Sequence, residues 1–394
     1  MRIVVHDYSG HPFQAQLSRE LARRGHTVWH LTSGDFQTPK GHLATDDAPG
    51  GRLTVKALSL GEVFHKDSFV KRRSQEQAFG RLVAAEIQAI KPDVVLSSNA
   101  PLDTQKGILD GTRRANAKFI FWVQDLYGEA IARILTSKFS LLGQAVGMHY
   151  KALEYRMLRA SDAAVVISDD FKPILARNGV SPGRTVTIEN WAPLDEMAYT
   201  PLPDRGAAPV RMLYSGTLGY KHNPELLVDL AGMPGAEMAV YSEGRVANEL
   251  KAKAADLPSL QVNPWVPFDA LPATLGAADV MVAVIEADAG VFSVPSKVLT
   301  YLCTGRPILA SIPAENLAAR ILTSSGAGLV SAPGDTAGFM ANAKRLADSP
   351  ELRREMGAKA RAYAEATFDI ARIGDRFEKL IQEAVGTGGQ AIAA

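Results

Sequence analysis

Short β-branched runs alternate with helical patterns from one end of this chain to the other. A chain written this way folds as a parallel sheet with helices on both faces. In the first half the runs fall at residues 2–6, 93–98, 119–123 and 163–167, each followed by a candidate helix, and a run at 27–31 completes a first βαβ unit. The first helix is the clearest: Phe13, Leu17 and Leu21 recur on one face, while Arg19, Arg23 and Arg24 take the other. Pro12 suits its first turn and Gly25 its C-terminal stop. The pattern restarts after residues 190–203, which carry Pro193, Pro201 and Pro203 without periodicity and read as a linker. Runs at 210–214, 236–241, 260–263, 280–285, 307–310 and 328–330 then alternate with helices, and helical patterns at 336–348, 351–367 and 370–384 close the chain. At 394 residues the chain suits two domains rather than one core. The expected division is 1–195, 196–369 and a C-terminal helix and tail at 370–394 that returns to the first domain. The predicted class is α/β, two facing Rossmann-like domains with a cleft between them, ligands being expected at the carboxyl ends of the strands.

Charge and composition exclude some partners. The 43 Lys and Arg nearly cancel the 42 Asp and Glu, so no global field favours nucleic acid. The single Cys303 allows no intrachain disulfide and reads as core filler. Residues 1–6 enter a strand directly, with no export segment before it, so the expectation is a cytoplasmic protein. No window approaches the run of about 20 apolar residues that spans a bilayer, which leaves only peripheral membrane contact.

Three loops carry chemistry. The first, residues 7–12 (DYSGHP), joins a strand to a helix start whose free N–H groups favour an anion, with Gly10 admitting close backbone approach. It lacks the G-x-G-x-x-G spacing of a dinucleotide site. The second, residues 213–221 (LYSGTLGYK), repeats that geometry: Gly216, Thr217 and Gly219 form a candidate diphosphate cradle, and Lys221 is a candidate cation for charge building on a leaving phosphate. In the third, residues 286–302, Pro295 sits at the start of a helix, and the N–H groups of Ser293, Val294, Ser296 and Lys297 form a second anion-binding element. Two such elements in one half suit a nucleoside diphosphate. Asp125 lies just beyond the run at 119–123 and is either a contact to a donor or acceptor sugar or a helix N-cap; His11 is a second candidate in that half.

The order of several short motifs resembles glycosyltransferase family 4. They are SGTLG at 215–219 with Lys221, YSEG at 241–244, WVP at 265–267, ADV at 278–280, PSK at 295–297, GRP at 305–307, and GAG at 326–328 with PGD at 333–335. RGHTV at 24–28, WVQDL at 122–126, residues 163–168 and ENW at 189–191 agree in the first half. The chain is most similar to bacterial exopolysaccharide and colanic-acid-type enzymes. The resemblance implies a GT-B fold, a first domain that binds a saccharide acceptor, and a second that binds a UDP- or GDP-sugar. It also implies transfer with retention at the anomeric carbon, with no metal and no cofactor. Mapped by motif, the donor site takes in Gly10, Gly216, Thr217, Lys221, Glu243, Gly244, Trp265, Val266, Ser293, Val294, Ser296, Lys297 and Thr300, with Asp125, Lys221 and His11 as catalytic candidates. The chain departs from the family pattern where two glutamates are usual and it has Phe292 and Thr300, with Glu286 a possible substitute. It departs again at Thr217, where an arginine is common, and at Gln124, where a histidine is.

Residues 64–73 and 131–158 mix apolar and basic side chains in a way that suits either an anionic membrane surface or an ordinary packed helix. The first reading predicts a polyisoprenyl-diphosphate-linked acceptor. Two alternatives to a transferase are a nucleotide-sugar epimerase of the same architecture and a non-catalytic two-domain sugar-binding protein.

Overall fold

The computed structural model of the chain describes residues 1–36, 41, 43, 49–62, 68–98, 100–138, 141–206, 208–285 and 295–386, leaving aside the side chains of residues 134, 136–138, 142 and 221. The chain forms two compact units. One comprises Met1–Glu189 and the C-terminal stretch from Ile370; the other is Asn190–Asp369.

In the first unit the order is β1 (Arg2–Asp7), α1 (Pro12–Arg23), β2 (Thr27–Ser33), β3 (Leu53–Leu58), α2 (Phe69–Ile90), β4 (Val94–Ser98), α3 (Leu102–Arg114), β5 (Lys118–Val123), α4 (Tyr127–Lys138), α5 (Leu141–Ala160), β6 (Ala163–Val166), α6 (Phe171–Arg177) and β7 (Thr185–Thr187). Seven parallel strands lie in the order β3-β2-β1-β4-β5-β6-β7. Helices cover both faces, so β4 and β6 are buried along their whole length, and neither shows the alternation of a half-exposed strand. The order reverses beside β1, where Asp7 pairs with Thr32 on one side and Ser98 on the other. Loops leave such a reversal in opposite directions, and ligands of open α/β sheets bind there. The strands β3 and β7, one at each edge, were not legible in the sequence: β3 is half exposed and β7 has three residues.

The second unit runs β8 (Val210–Ser215), α7 (Glu225–Ala231), β9 (Ala236–Tyr241), α8 (Arg245–Lys253), β10 (Leu260–Asn263), α9 (Leu271–Gly276), β11 (Val280–Val284), α10 (Ser296–Cys303), β12 (Ile308–Ser311), α11 (Leu317–Ser325), β13 (Gly328–Ser331), α12 (Thr336–Asp348) and α13 (Pro350–Thr367). Its six parallel strands follow the order β10-β9-β8-β11-β12-β13, with the reversal between β8 and β11. Met212, Tyr214, Met238, Val240, Val282 and Phe339 anchor its core. Cys303 belongs to this interior, and burial pushes its thiol up to about 12, where it is inert as a nucleophile.

Residues 190–203, read from sequence as a linker, are packed into the second unit. Trp191, Ala192 and Met197 are buried. The Arg306 guanidinium donates to Thr200 O (2.7 Å), Thr200 Oγ1 (3.0 Å) and Pro201 O (3.0 Å), while Arg361 donates to Met197 O (3.3 Å). Regular structure here is limited to one 3₁₀ turn, Leu194–Glu196, and side-chain donors satisfy part of the backbone instead.

The last helix, α14 (Ile370–Gly386), packs on α1 in the first unit, burying Ile373, Phe377, Leu380 and Ile381. The ring of Phe377 meets that of Trp122 on β5 at 4.7 Å. This corrects the reading of α1 as having one solvent face. Arg19 is buried, and Arg24 donates to Asp375 (2.7 Å), Glu378 (2.9 Å) and Ala371 O (2.6 Å). Gly374 makes the approach possible, since a Cβ there would stand 2.8 Å from the Arg24 guanidinium.

Candidate functional site

In the first unit the reversal beside β1 places Asp7 at a strand end with no exposed surface. Its carboxylate accepts from the backbone N–H of Ser9 (3.1 Å) and of His11, and from His11 Nδ1 at 3.2 Å. Gly10 takes a positive φ of 81°, which turns the chain back over the carboxylate and delivers His11 to the N-cap of α1. Burial acts to raise the Asp7 carboxyl, but the His11 imidazole and its hydrogen bonds hold it below its ordinary value. Burial likewise acts to lower His11, yet the Asp7 charge, the shared bond and the charge of Asp125 carry it above its own. The result is a polarised imidazole with 31% of its side chain exposed. Two neighbours behave oppositely: burial pushes His6 and His30 down to about 4, so they stay neutral, bonded to Ser97 Oγ (3.0 Å) and Ser18 Oγ (2.8 Å).

Asp125 follows β5 and is half-buried. The loop that carries it is anchored by Glu154 of α5, which accepts from the Gly128 N–H at 3.0 Å. Burial pushes Glu154 up to about 8. A Cβ at Gly128 would lie 2.8 Å from the Glu154 carboxylate, so glycine is needed for this contact.

In the second unit the reversal between β8 and β11 opens onto the loop predicted as a cradle. Gly216 takes a φ of 124°, a conformation that excludes side chains. Two phenols shape the loop. Tyr214 donates to Thr217 O (2.8 Å), and Tyr301 of α10 both accepts from Ser215 N (2.8 Å) and donates to Ser215 O (3.0 Å). The Lys297 ammonium sits 3.8 Å from the centre of the Tyr214 ring and donates to its hydroxyl. Gly216, Thr217 and Lys297 are therefore gathered at one strand end, with Ser296 and Thr300 on the same helix as Lys297. Glu243, beyond β9, accepts from the Trp265 N–H at 3.2 Å, with Gly244 and Val266 adjoining. Lys221 lies in a 3₁₀ turn, Tyr220–His222, and its side chain falls outside the described residues, as do Glu286, Phe292, Ser293 and Val294.

Asp7, Tyr214, Tyr301 and Glu154 went unnoticed in the sequence. Asp7 and Tyr214 look like the ends of apolar strands, and Tyr301 and Glu154 like helix residues. The spacing of Asp7 and His11, four apart across a glycine turn, was the one local signal. Among the described residues no group of three or more His, Cys, Asp and Glu is placed to hold a metal ion, and no helix is long and apolar enough to cross a membrane.

Residues 11–191 match the model of the glycosyl transferase 4-like domain. Among solved structures, the chain is similar over nearly its whole length to the Anabaena protein HepE in complex with UDP-glucose, with 14% identity, 97% of this chain and 99% of that one covered, and a TM-score of 0.67. It is also similar to sucrose-phosphate synthase from Thermosynechococcus elongatus (16% identity, 98% and 99% covered, TM-score 0.74). A glycosyltransferase from Rickettsia africae gives comparable values (15% identity, 98% and 99% covered, TM-score 0.67). No curated protein matches the chain in sequence. Identities this low speak for the fold, which is GT-B, two Rossmann-like α/β domains in one chain. The match at residues 11–191 is to a glycosyl transferase 4-like domain and covers somewhat less than half of the chain.

Proposed function

We propose that the chain moves a sugar from a UDP- or GDP-sugar to a saccharide acceptor, with retention, in the synthesis of a bacterial surface polysaccharide. The observation that carries this reading is the Gly216 loop with Lys297 beside it at the strand reversal of the second unit, a place for a diphosphate. The likeness to HepE, whose structure holds UDP-glucose, supports a uridine donor. In this reading residues 196–369 hold the nucleotide, with Glu243, Gly244, Trp265 and Val266 toward the base and ribose and Lys221 a further cation for the diphosphate. Residues 1–195 hold the acceptor. Retention follows when the acceptor oxygen attacks C1 on the face the diphosphate leaves: the C1–O(phosphate) bond breaks, its electrons leave with the diphosphate, and the acceptor proton passes to a phosphate oxygen. His11 and Asp125 then serve to hold sugar hydroxyls.

Thermal unfolding with a panel of nucleotide-sugars tests the donor, since a ligand that binds only the native chain raises its stability. A UDP- or GDP-sugar is expected to give the largest shift, and the product anomer, read by NMR, is expected to match the donor. No shift with any nucleotide-sugar would sink the proposal. Diphosphate binding by lysines and backbone N–H groups predicts that EDTA leaves turnover unchanged. Loss of turnover restored by Mg²⁺ or Mn²⁺ is the contrary result.

A lipid-linked acceptor is proposed from one surface of the first unit. Two sequence segments meet there, since the Phe69 ring stacks edge-on against Tyr150 at 6.4 Å. On the same two helices Val70 is 77% exposed, Leu141 83% and Met148 64%, with Lys71, Arg72 and Arg73 following Val70 in sequence. Arg72 is paired with Glu76 (2.7 Å) and Arg73 with Asp103 (3.4 Å), so their pull on anionic lipid falls below the usual ~1 kcal/mol per charge. Apolar insertion carries more of the binding. The protein is expected to float with anionic vesicles at low salt, and Val70→Asp with Leu141→Asp to abolish flotation without changing donor affinity. Lys66 and Phe64, part of the same sequence reading, lie outside the described residues. A wild-type protein that stays at the bottom of the gradient points to a soluble acceptor.

A further inference from the structure

We propose that Arg72 and Tyr127 form a phosphate-binding subsite in the first unit, and that the acceptor carries the phosphate it takes. The proposal rests on the lipid-linked acceptor read above and names the group by which such an acceptor is recognised.

Arg72 stands in the first turn of α2 and Tyr127 opens α4. Both helices run back against parallel strands, so both begin at the edge of the sheet where ligands bind. There the Arg72 charge acts on the Tyr127 phenol and on that of Tyr8, the residue after Asp7. The end of β1 and the starts of α2 and α4 are thereby brought to one place. A buried carboxylate holds each of the two groups. Glu76, one turn along α2, accepts from Arg72 Nε at 2.7 Å. Glu154 accepts the Gly128 N–H and so fixes the turn that carries Tyr127. Burial raises both carboxyls above their ordinary values. Two acids buried at a cost, each fixing the first turn of a helix at the same sheet edge, mark a site rather than scaffold.

Tied through Nε alone, the guanidinium has both Nη atoms to offer. Among the described residues neither they nor the Tyr127 hydroxyl has a hydrogen-bond partner. Arg73 differs, since the Asp103 that it faces is also bonded by Tyr150 (2.7 Å) and Gln77 (3.0 Å). Burial and the charge of Asp125 keep the Tyr127 phenol protonated, so it meets a ligand as a neutral O–H donor. A guanidinium fork beside one hydroxyl suits a phosphate, which accepts two N–H bonds side by side and has a third oxygen for the phenol. A lone sugar hydroxyl leaves most of these donors unused. Lys71, Arg72 and Arg73 also crowd three cations into a helix start whose dipole opposes them, with no acid in the first turn, and a bound phosphate offsets that repulsion.

NMR titration of the full chain tests this, with UDP at saturation so that added phosphate finds the donor site filled. The probes are methyl phosphate, hexyl phosphate and methyl glucoside. Methyl phosphate is expected to shift the Arg72 Nε–H signal, identified by its loss in Arg72→Gln, while the glucoside leaves it in place. Affinity is read on the Gly128 amide in every variant. Arg72→Gln should weaken methyl phosphate about tenfold or more and Tyr127→Phe about threefold to tenfold, the sizes of a charge-assisted and a neutral hydrogen bond. Arg72→Lys should not restore binding, because a point charge lacks the fork. UDP affinity should stay within about twofold in all three variants. Hexyl phosphate binding more tightly than methyl phosphate upholds the subsite and assigns it to a lipid-borne phosphate; equal affinities uphold it for a soluble phosphorylated saccharide. Methyl phosphate that leaves the Arg72 signal unmoved, binds Arg72→Gln as well as wild type, or is matched by the glucoside overturns the proposal. A wild-type chain that binds no UDP refutes the donor reading instead, and the same titration without nucleotide still decides the subsite.

Discussion

His11→Ala is expected to lower kcat/KM about tenfold to a hundredfold, and Asp7→Asn to produce much of the same loss. His11 is half-buried, polarised by a fully buried carboxylate 3.2 Å away, and a charge-assisted hydrogen bond from such a group to a sugar hydroxyl is worth about 1.5–3 kcal/mol. Asparagine keeps an acceptor for the Ser9 and His11 backbone N–H groups but loses the charge that raises the imidazole. The double variant should then be little worse than His11→Ala alone. Stability gives a second readout. Because the folded-state value of His11 lies above its ordinary 6.5, the pairing contributes its full stability below that pH and loses it as pH rises through the raised value. The stability gap between wild type and Asp7→Asn should therefore be larger near about pH 6 than near about pH 9. His6 and His30, pushed down to about 4, stay neutral over that range in both proteins. A gap that widens toward high pH, or turnover unaffected by either change, would show that His11 is no more than a helix cap.

The largest loss of stability is expected at Arg306, by Arg306→Met. Its guanidinium is wholly buried and donates to Ala278 O (2.9 Å), Thr304 O (2.8 Å), Gly276 O, Thr200 O, Thr200 Oγ1 and Pro201 O. Methionine fills similar volume but leaves five carbonyls without this donor, those of Ala278 and Thr304 in buried hydrogen bonds and the other three partly buried, a buried one being worth about 1 kcal/mol or more when unsatisfied. Unfolding in urea should show a loss of about 3 kcal/mol or more in the unit that contains it, with the slope unchanged. A loss below about 1 kcal/mol would mean that water replaces the guanidinium and that residues 199–201 are held by other contacts. The variant also separates structure from chemistry, because Arg306 packs at the amino ends of β11 and β12 and touches none of the proposed donor residues.

The sequence by itself determined the two parallel sheets, most strand positions, the helical C-terminus and the loops where ligands are expected. These are local properties: a period of two or 3.6 residues, a glycine after a strand, a proline before a helix. It also marked Gly216 and Lys297 as candidates for a ligand, because one sits in a glycine loop after a strand and the other in the first turn of a helix that follows a proline. What the tertiary structure alone decided is which side chains meet. Tyr214 and Lys297 are 83 residues apart, and only the adjacency of β8 and β11 brings α10 to the end of β8. Arg24 was read as a solvent-facing charge because nothing within its helix shows that α14, some 350 residues on, supplies Asp375 and Glu378 to it. Asp7, the last residue of an apolar strand, resembles any strand end until burial and the turn at Gly10 set it under His11. Residues 190–203 lacked any period, and a stretch without period is indistinguishable from a linker until a distant donor such as Arg306 is seen to satisfy its carbonyls. Burial and long-range pairing depend on the whole chain, and no window of sequence contains them.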